Sequence, residues 1–172
     1  MVTIPAFISK YLVGSMWHTT SVPRFEKILD TGFIFVDPPL PDSDRYGGMP
    51  FVRAQGGVSL FDFPKGFDLE EYEAEFFTSS IGEFLPFKRQ WGRSVWLRIN
   101  TDIVAGNIKS GREIRACWKS QKSTKRFMAE IEGAHLGDIP VSAISDAYEI
   151  GEGDACWSRR SLLPESLEMR EK

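Results

Sequence analysis

The chain has 172 residues, 42% hydrophobic and 26% charged, with a net charge of −3. That length favours one domain with a real core, in the balance of a soluble globular protein. An acidic chain is no general nucleic-acid binder, so any such binding must come from a local patch. Cys117 and Cys156, the only cysteines, make neither a disulfide framework nor a zinc site and read as reduced thiols. The first residues, MVTIPAFISKYLVGSM, lack a basic stretch before the apolar part. No run approaches about 20 apolar residues, so we expect no leader, no membrane span and a cytoplasmic protein.

The first strand is expected over residues 14–19. A helix over 22–30 follows, with Ser21 as N-cap, Pro23 in the first turn and Gly32 at its end. Phe25, Ile28 and Leu29 form its buried face. FIFV at 33–36 reads as a strand and the Pro- and Asp-rich 37–50 as a loop. GVSLFDF at 57–63 is a strand, and 67–81 a helix capped by Asp68. SVWLRIN at 94–100 alternates as a strand does, as does RFMAEIEG at 126–133, and 143–150 is the last strand. From Ser158 the chain is charged and without periodicity. Strands and helices mix without a βαβ rhythm, which gives an α+β class with a largely antiparallel sheet system. One domain is expected over 1–157, followed by a charged tail over 158–172.

Three stretches carry residues suited to chemistry. His18 stands at a strand end before Thr19 and Thr20; its ring N–H and their hydroxyls can serve as donors to the hydroxyls of a nucleotide ribose. The plainer alternative is a hydrogen-bonded structural histidine. In MAEIEG, a strand would turn Glu130 and Glu132 to one face and Ala129 and Ile131 to the core. Paired carboxylates repel, which is tolerated where one is put to use; a solvated strand face is the alternative. In ACWKSQKSTKRF, Lys119, Lys122, Lys125 and Arg126 give a local charge of +4 beside Trp118 and Phe127. This is either a solvated turn or an acceptor loop with cations for phosphates and a ring for stacking on a base.

In this order the segments resemble ADP-ribosyltransferase-like domains, nearest the DNA- and toxin-type DarT-like enzymes. WHTTSVPRFEKILDTGF resembles the family's opening strand and helix. GVSLFDF resembles its second segment, SVWLRIN a following strand, and MAEIEGAHLGDIPVSAI the closing segment with the catalytic glutamate. The resemblance covers islands between residues 15 and 145. It implies split antiparallel β-sheets with flanking helices and an NAD-dependent mono-ADP-ribosyltransferase acting as a toxin or defence effector. NAD is then the substrate, with no metal. His18 would bind the ribose on the nicotinamide side, supported by Thr19 and Thr20, while Ser59 and Phe61 would line the nicotinamide pocket. Phe61 stands where many members carry Tyr.

Glu130 or Glu132 would be catalytic. The AE context favours Glu130, to which we lean; the distance to the IP turn and the ExE pattern favour Glu132. The assisting arginine would be Arg53 or Arg45. Trp118, Lys119, Lys122 and Lys125 would hold the acceptor, expected to be a nucleic acid. An antitoxin or inhibitor protein is a further expected partner. The alternatives are an inactive nucleotide- or partner-binding module, or an RNA 2′-phosphotransferase. The latter needs several basic side chains around a 2′-phosphate and ranks lower because the pocket candidates are acidic.

Overall fold

The structure, a computed structural model, describes residues 3–39, 49–76 and 81–163. It is α+β, as the sequence implied. A seven-stranded sheet and a two-stranded sheet carry helices around them. In chain order the elements are α1 (Ile4–Phe7), β1 (Met16–Ser21), α2 (Val22–Thr31), β2 (Phe33–Ile34), α3 (Phe51–Ala54), β3 (Gly57–Asp62) and α4 (Leu69–Glu75). Then come β4 (Arg93–Ile99), β5 (Ile108–Lys109), α5 (Gly111–Ser120), β6 (Glu132–Leu136), β7 (Ile139–Pro140), β8 (Ile144–Gly151) and β9 (Ser158–Arg160). The large sheet runs β5-β6-β3-β1-β4-β8-β9, and β2 pairs with β7. Every strand pairing is antiparallel.

Alternation along the strands makes two cores. One face carries Trp17, Phe61 and Trp96, packed with Phe7, Ile131 and Ile150. The other carries Met16, Leu60, Val95 and Leu97 beneath Phe25 and Ile28 of α2. Phe25 is fully buried, so truncating it to Ala is expected to cost about 3–5 kcal/mol. Gly32 ends α2 in the left-handed region at φ 79°, its N–H donating to the Ile28 carbonyl; only glycine takes that conformation freely.

The sheet is not continuous across its middle. β1 pairs with β4 at six positions, from Met16↔Ile99 to Ser21↔Ser94. With β3 it pairs only at Met16↔Asp62 and Trp17↔Phe61. Beyond Trp17 the two strands part. Backbone groups there need other partners, and the gap between β1 and β3 becomes the floor of a cleft.

Three expectations are corrected. Residues 126–131 are not a strand; β6 starts at Glu132, after a turn in which Glu130 takes φ 66°. The two glutamates therefore do not share a strand face. The stretch 116–120 belongs to α5 rather than to a loop. Its signal was present in the sequence as a capping box, with Ser110 bound to the Glu113 N–H and the Glu113 side chain bound back to the Ser110 N–H. Ser158–Arg160, read as part of a structureless tail, pairs with β8. The expected FIFV strand is observed over Phe33–Ile34, and within the helix expected over 67–81 the structure shows Leu69–Glu75, with the Asp68 side chain accepting from the Glu71 N–H; 77–80 of that span lie outside the described residues.

Candidate active site

The cleft has a volume of about 1170 Å3 and is lined by His18, Thr19, Thr20, Ser59, Phe61 and Glu132 on its floor. His18 reaches across the parting strands, its Nδ1 lying 3.1 Å from the Ser59 carbonyl oxygen. A carbonyl only accepts, so Nδ1 carries the proton and Nε2 is left as an acceptor. The ring replaces a missing ladder bond and offers a ligand a lone pair, not the N–H donor expected from the sequence. It keeps some exposed surface but is packed round by protein. Burial pushes its pKa down, with Arg24 adding to the effect and the Ser59 carbonyl opposing it. The neutral imidazole is thus the resident form at neutral pH.

Glu132 opens β6 opposite Phe61. Its carboxylate accepts from Ser59 Oγ at 2.6 Å and from the Met128 N–H at 2.7 Å. The Glu132 N–H in turn donates to the Met128 carbonyl at 2.8 Å, closing a tight turn. The residue is 4% exposed. Burial raises its pKa and outweighs the two donors, which favour the ionised form. A buried carboxylate with a raised pKa in a cleft is a mark of a functional group.

The remaining predicted residues divide. Phe61 is buried, stacked on Phe63 at 5.8 Å and edge-on to Phe84 at 5.5 Å. Thr19 and Thr20 are buried, and the Thr19 hydroxyl is committed to the Val95 carbonyl at 3.4 Å. Trp118, Lys119 and Lys125 line the cleft, but Lys122 does not. Trp118 donates its indole N–H to the Lys125 carbonyl at 2.9 Å and packs on Phe127 at 5.1 Å, which ties the loop down. Glu130 is not among the lining residues and is ion-paired with Arg115. Arg53 likewise lies outside the lining and pairs with Asp37. Arg45 falls outside the described residues.

Sequence reasoning missed Arg24, Lys27 and Arg115, all of which line the cleft. Arg24 and Lys27 sit one helical turn apart on α2, off its buried Phe25–Ile28 stripe. Arg115 lies on the unrecognised α5. Among the described residues the lining holds Arg24, Lys27, Arg115, Lys119, Lys125 and Arg126 against Asp30 and Glu132. A cationic cleft in a chain of net charge −3 is arranged for an anionic ligand. It also removes the ground on which the phosphotransferase reading ranked low, since the pocket is basic around one buried acid. Among the described residues no cluster of His, Cys, Asp or Glu could hold a metal, and no helix is long and apolar enough to cross a membrane.

No family model matches the chain, and no curated protein matches it. Its fold is similar to DarT of Thermus sp. 2.9 in complex with carba-NAD+, at TM-score 0.42 and 11% identity, covering 77% of this chain and 80% of that one. It is similar to a heat-labile enterotoxin double mutant at TM-score 0.44 and 14% identity, covering 88% of this chain and 64% of the other. For a heat-labile enterotoxin mutant of E. coli the values are 0.44 and 15%, covering 90% and 80%. With identities of 11–15% and TM-scores below 0.5, the functional reading rests on the cleft's own residues.

Proposed function

We propose that the protein is an NAD-dependent mono-ADP-ribosyltransferase with Glu132 as its catalytic carboxylate and a nucleic acid as acceptor. The observation that carries this is Glu132 itself: a buried carboxylate, fixed by Ser59 and Met128, on the floor of a basic cleft beside a neutral histidine. The cleft exceeds the roughly 300–1,000 Å3 of ordinary small-molecule sites, which suits a dinucleotide and the end of a second substrate together.

The chemistry follows from charge. In NAD the nicotinamide ring carries the positive charge. When the bond between its nitrogen and the ribose C1 breaks, the bonding electrons leave with neutral nicotinamide and the charge passes to the ribose. A carboxylate held at that carbon stabilises the developing cation. Burial raises the Glu132 pKa and so works against its ionised form; a cationic substrate favours that form. A nucleophile of the acceptor then attacks C1, and its proton passes to the ionised Glu132 carboxylate. In this reading His18 Nε2 accepts from a ribose hydroxyl and Phe61 gives the departing ring an aromatic surface, roles supported by the free Nε2 lone pair and by both residues lining the cleft. The buried walls shield the cation from water.

On the basic lip, Lys119, Lys125 and Arg126 suit phosphates. The test is nicotinamide release from NAD, followed by transfer of label from adenylate-labelled NAD to single-stranded oligonucleotides. Release with transfer supports the reading; no release and no NAD binding contradicts it. An RNA 2′-phosphotransferase is the second reading, favoured by the basic lining. Removal of the phosphate from a 2′-phosphorylated RNA in the presence of NAD, without label remaining on plain oligonucleotides, selects it. The toxin role would be tested by induced expression in cells of wild type and Glu132→Gln.

A further inference from the structure

We infer that Arg115 and Glu130 form a positioning clamp that aims Glu132, so that Glu130 is not a second acid or base. The inference rests on the ADP-ribosyltransferase reading for its catalytic consequence. Its structural basis stands by itself.

Glu130 is a non-glycine residue with φ 66°, a conformation held only where surroundings impose it. Those surroundings can be named. Its carboxylate is ion-paired with Arg115 of α5, and both side chains are largely covered, at 30% and 27% exposure. Its carbonyl oxygen presses on the start of α5: a Cβ at Gly111 would lie 1.9 Å from it, so no other residue fits there. The Gly111 N–H donates to Asp62 Oδ2 at 3.0 Å, and the Asp62 N–H donates to the Ile131 carbonyl at 2.8 Å. The turn is thus bolted to both α5 and β3. Inside it, the Met128 N–H holds one carboxylate oxygen of Glu132. The position of Met128 relative to Glu132 depends on the turn between them, and the turn on Glu130.

Arg115 links this arrangement to the ligand space. It lines the cleft and lies over Phe76, 5.1 Å from the ring centroid. A carboxylate moved by even an ångström from the reacting carbon loses much of its effect. The clamp acts through the turn that holds Glu132, and this separates it from a surface ion pair, which contributes little.

The experiment measures nicotinamide release and backbone amide exchange in the whole chain for Arg115→Ala, Glu130→Gln and the double variant. Each single change is expected to lower kcat on the order of 10- to 100-fold, with KM for NAD within about 3-fold. The double variant is expected to be no slower than the slower single, because the pair works as one unit. The amides of Met128 and Glu132 should exchange faster in all three. Unchanged kcat, additive losses, or a rise in KM with kcat intact overturns the clamp, the last because Arg115 would then bind substrate directly. So does a Glu130→Gln variant that still releases nicotinamide but fails only in transfer to the acceptor. If the unaltered protein releases no nicotinamide, the enzymatic reading fails. The clamp is then judged on exchange alone, where faster Met128 and Glu132 amides uphold it and unchanged ones overturn it.

Discussion

The floor and the lip of the cleft are built in opposite ways. On the floor, polar atoms bond to one another: His18 to the Ser59 carbonyl, Ser59 to Glu132, Glu132 to Met128. They are packed among protein atoms, and burial shifts the pKa of both His18 and Glu132 towards the neutral form. On the lip, Lys119 and Lys125 are exposed cations on a segment tied down by Trp118. The floor is preorganised and its groups are coupled; the lip supplies charge to whatever arrives. Changes on the floor should therefore act on stability and chemistry together, and changes on the lip on acceptor binding alone.

The largest effect is expected from Glu132→Ala. It leaves the Ser59 hydroxyl and the buried Met128 N–H without their acceptor, a loss of about 2–4 kcal/mol at one or a few kcal/mol per orphaned donor. Glu132→Gln keeps the shape, since its carbonyl can accept from Met128 while its NH2 donates to Ser59. Urea denaturation of the two variants separates them; equal stability would show that the bonds contribute nothing.

pH sharpens the contrast. Glu132 has a raised pKa in the folded state, so its contribution to stability is fully present below the unfolded carboxylate pKa and lost as pH rises through the folded value. Each unit of displacement corresponds to about 1.4 kcal/mol. Glu132→Gln should therefore gain stability relative to the parent at pH 8, and the gain should shrink towards pH 4, as thermal melts across that range will record. His18 runs the other way. Its lowered pKa leaves its contribution intact above the unfolded histidine pKa, and the contribution is lost as pH falls through the folded value. His18→Ala should lower kcat/KM for NAD by about 10-fold, mostly through KM, as the loss of one hydrogen bond would. A loss confined to kcat would give the imidazole a chemical role instead.

On the lip, Lys119→Ala with Lys125→Ala should flatten the salt dependence of acceptor modification, lowering the log–log slope by about 2 while NAD kinetics stay put. A parallel loss of NAD affinity would mean the same cations hold the dinucleotide. The smallest effect is expected from Lys122→Ala. Lys122 lies outside the cleft lining, and its replacement should leave both activities within about 2-fold, as an isolated surface change does. Measured beside the double variant, it separates position from charge.

Floor and lip also differ in how far the sequence exposed them. β1, α2, β3, β4 and β8 were legible because alternation and caps are local signals: Ser21 and Gly32 bracket α2, and SVWLRIN alternates on a half-buried strand. The order of the motifs singled out His18, Ser59 and one of Glu130 and Glu132, with the lean to Glu130; of these, His18, Ser59 and Glu132 line the cleft and Glu130 does not. The turn at Glu130 was not, because EIE alternates as a strand does while its geometry is set by Gly111 and Arg115, distant in sequence. α5 was hidden by its polarity; only Ile114 and Gly111 are buried on it. The cations of α2 escaped notice because Arg24 and Lys27 read as an ordinary solvated face until β1 and β3 part beside them. Arg53 looked available and is bound to Asp37.

The central claim is that Glu132 stabilises the cation formed when NAD loses nicotinamide. Nicotinamide release by the purified protein and by Glu132→Gln tests it most directly, with both variants shown to be folded. The expected result is turnover by the unaltered protein and a loss on the order of 10²–10³-fold in the variant, the scale of removing one preorganised electrostatic partner. Equal turnover by both, or NAD left intact by a folded protein, would contradict it.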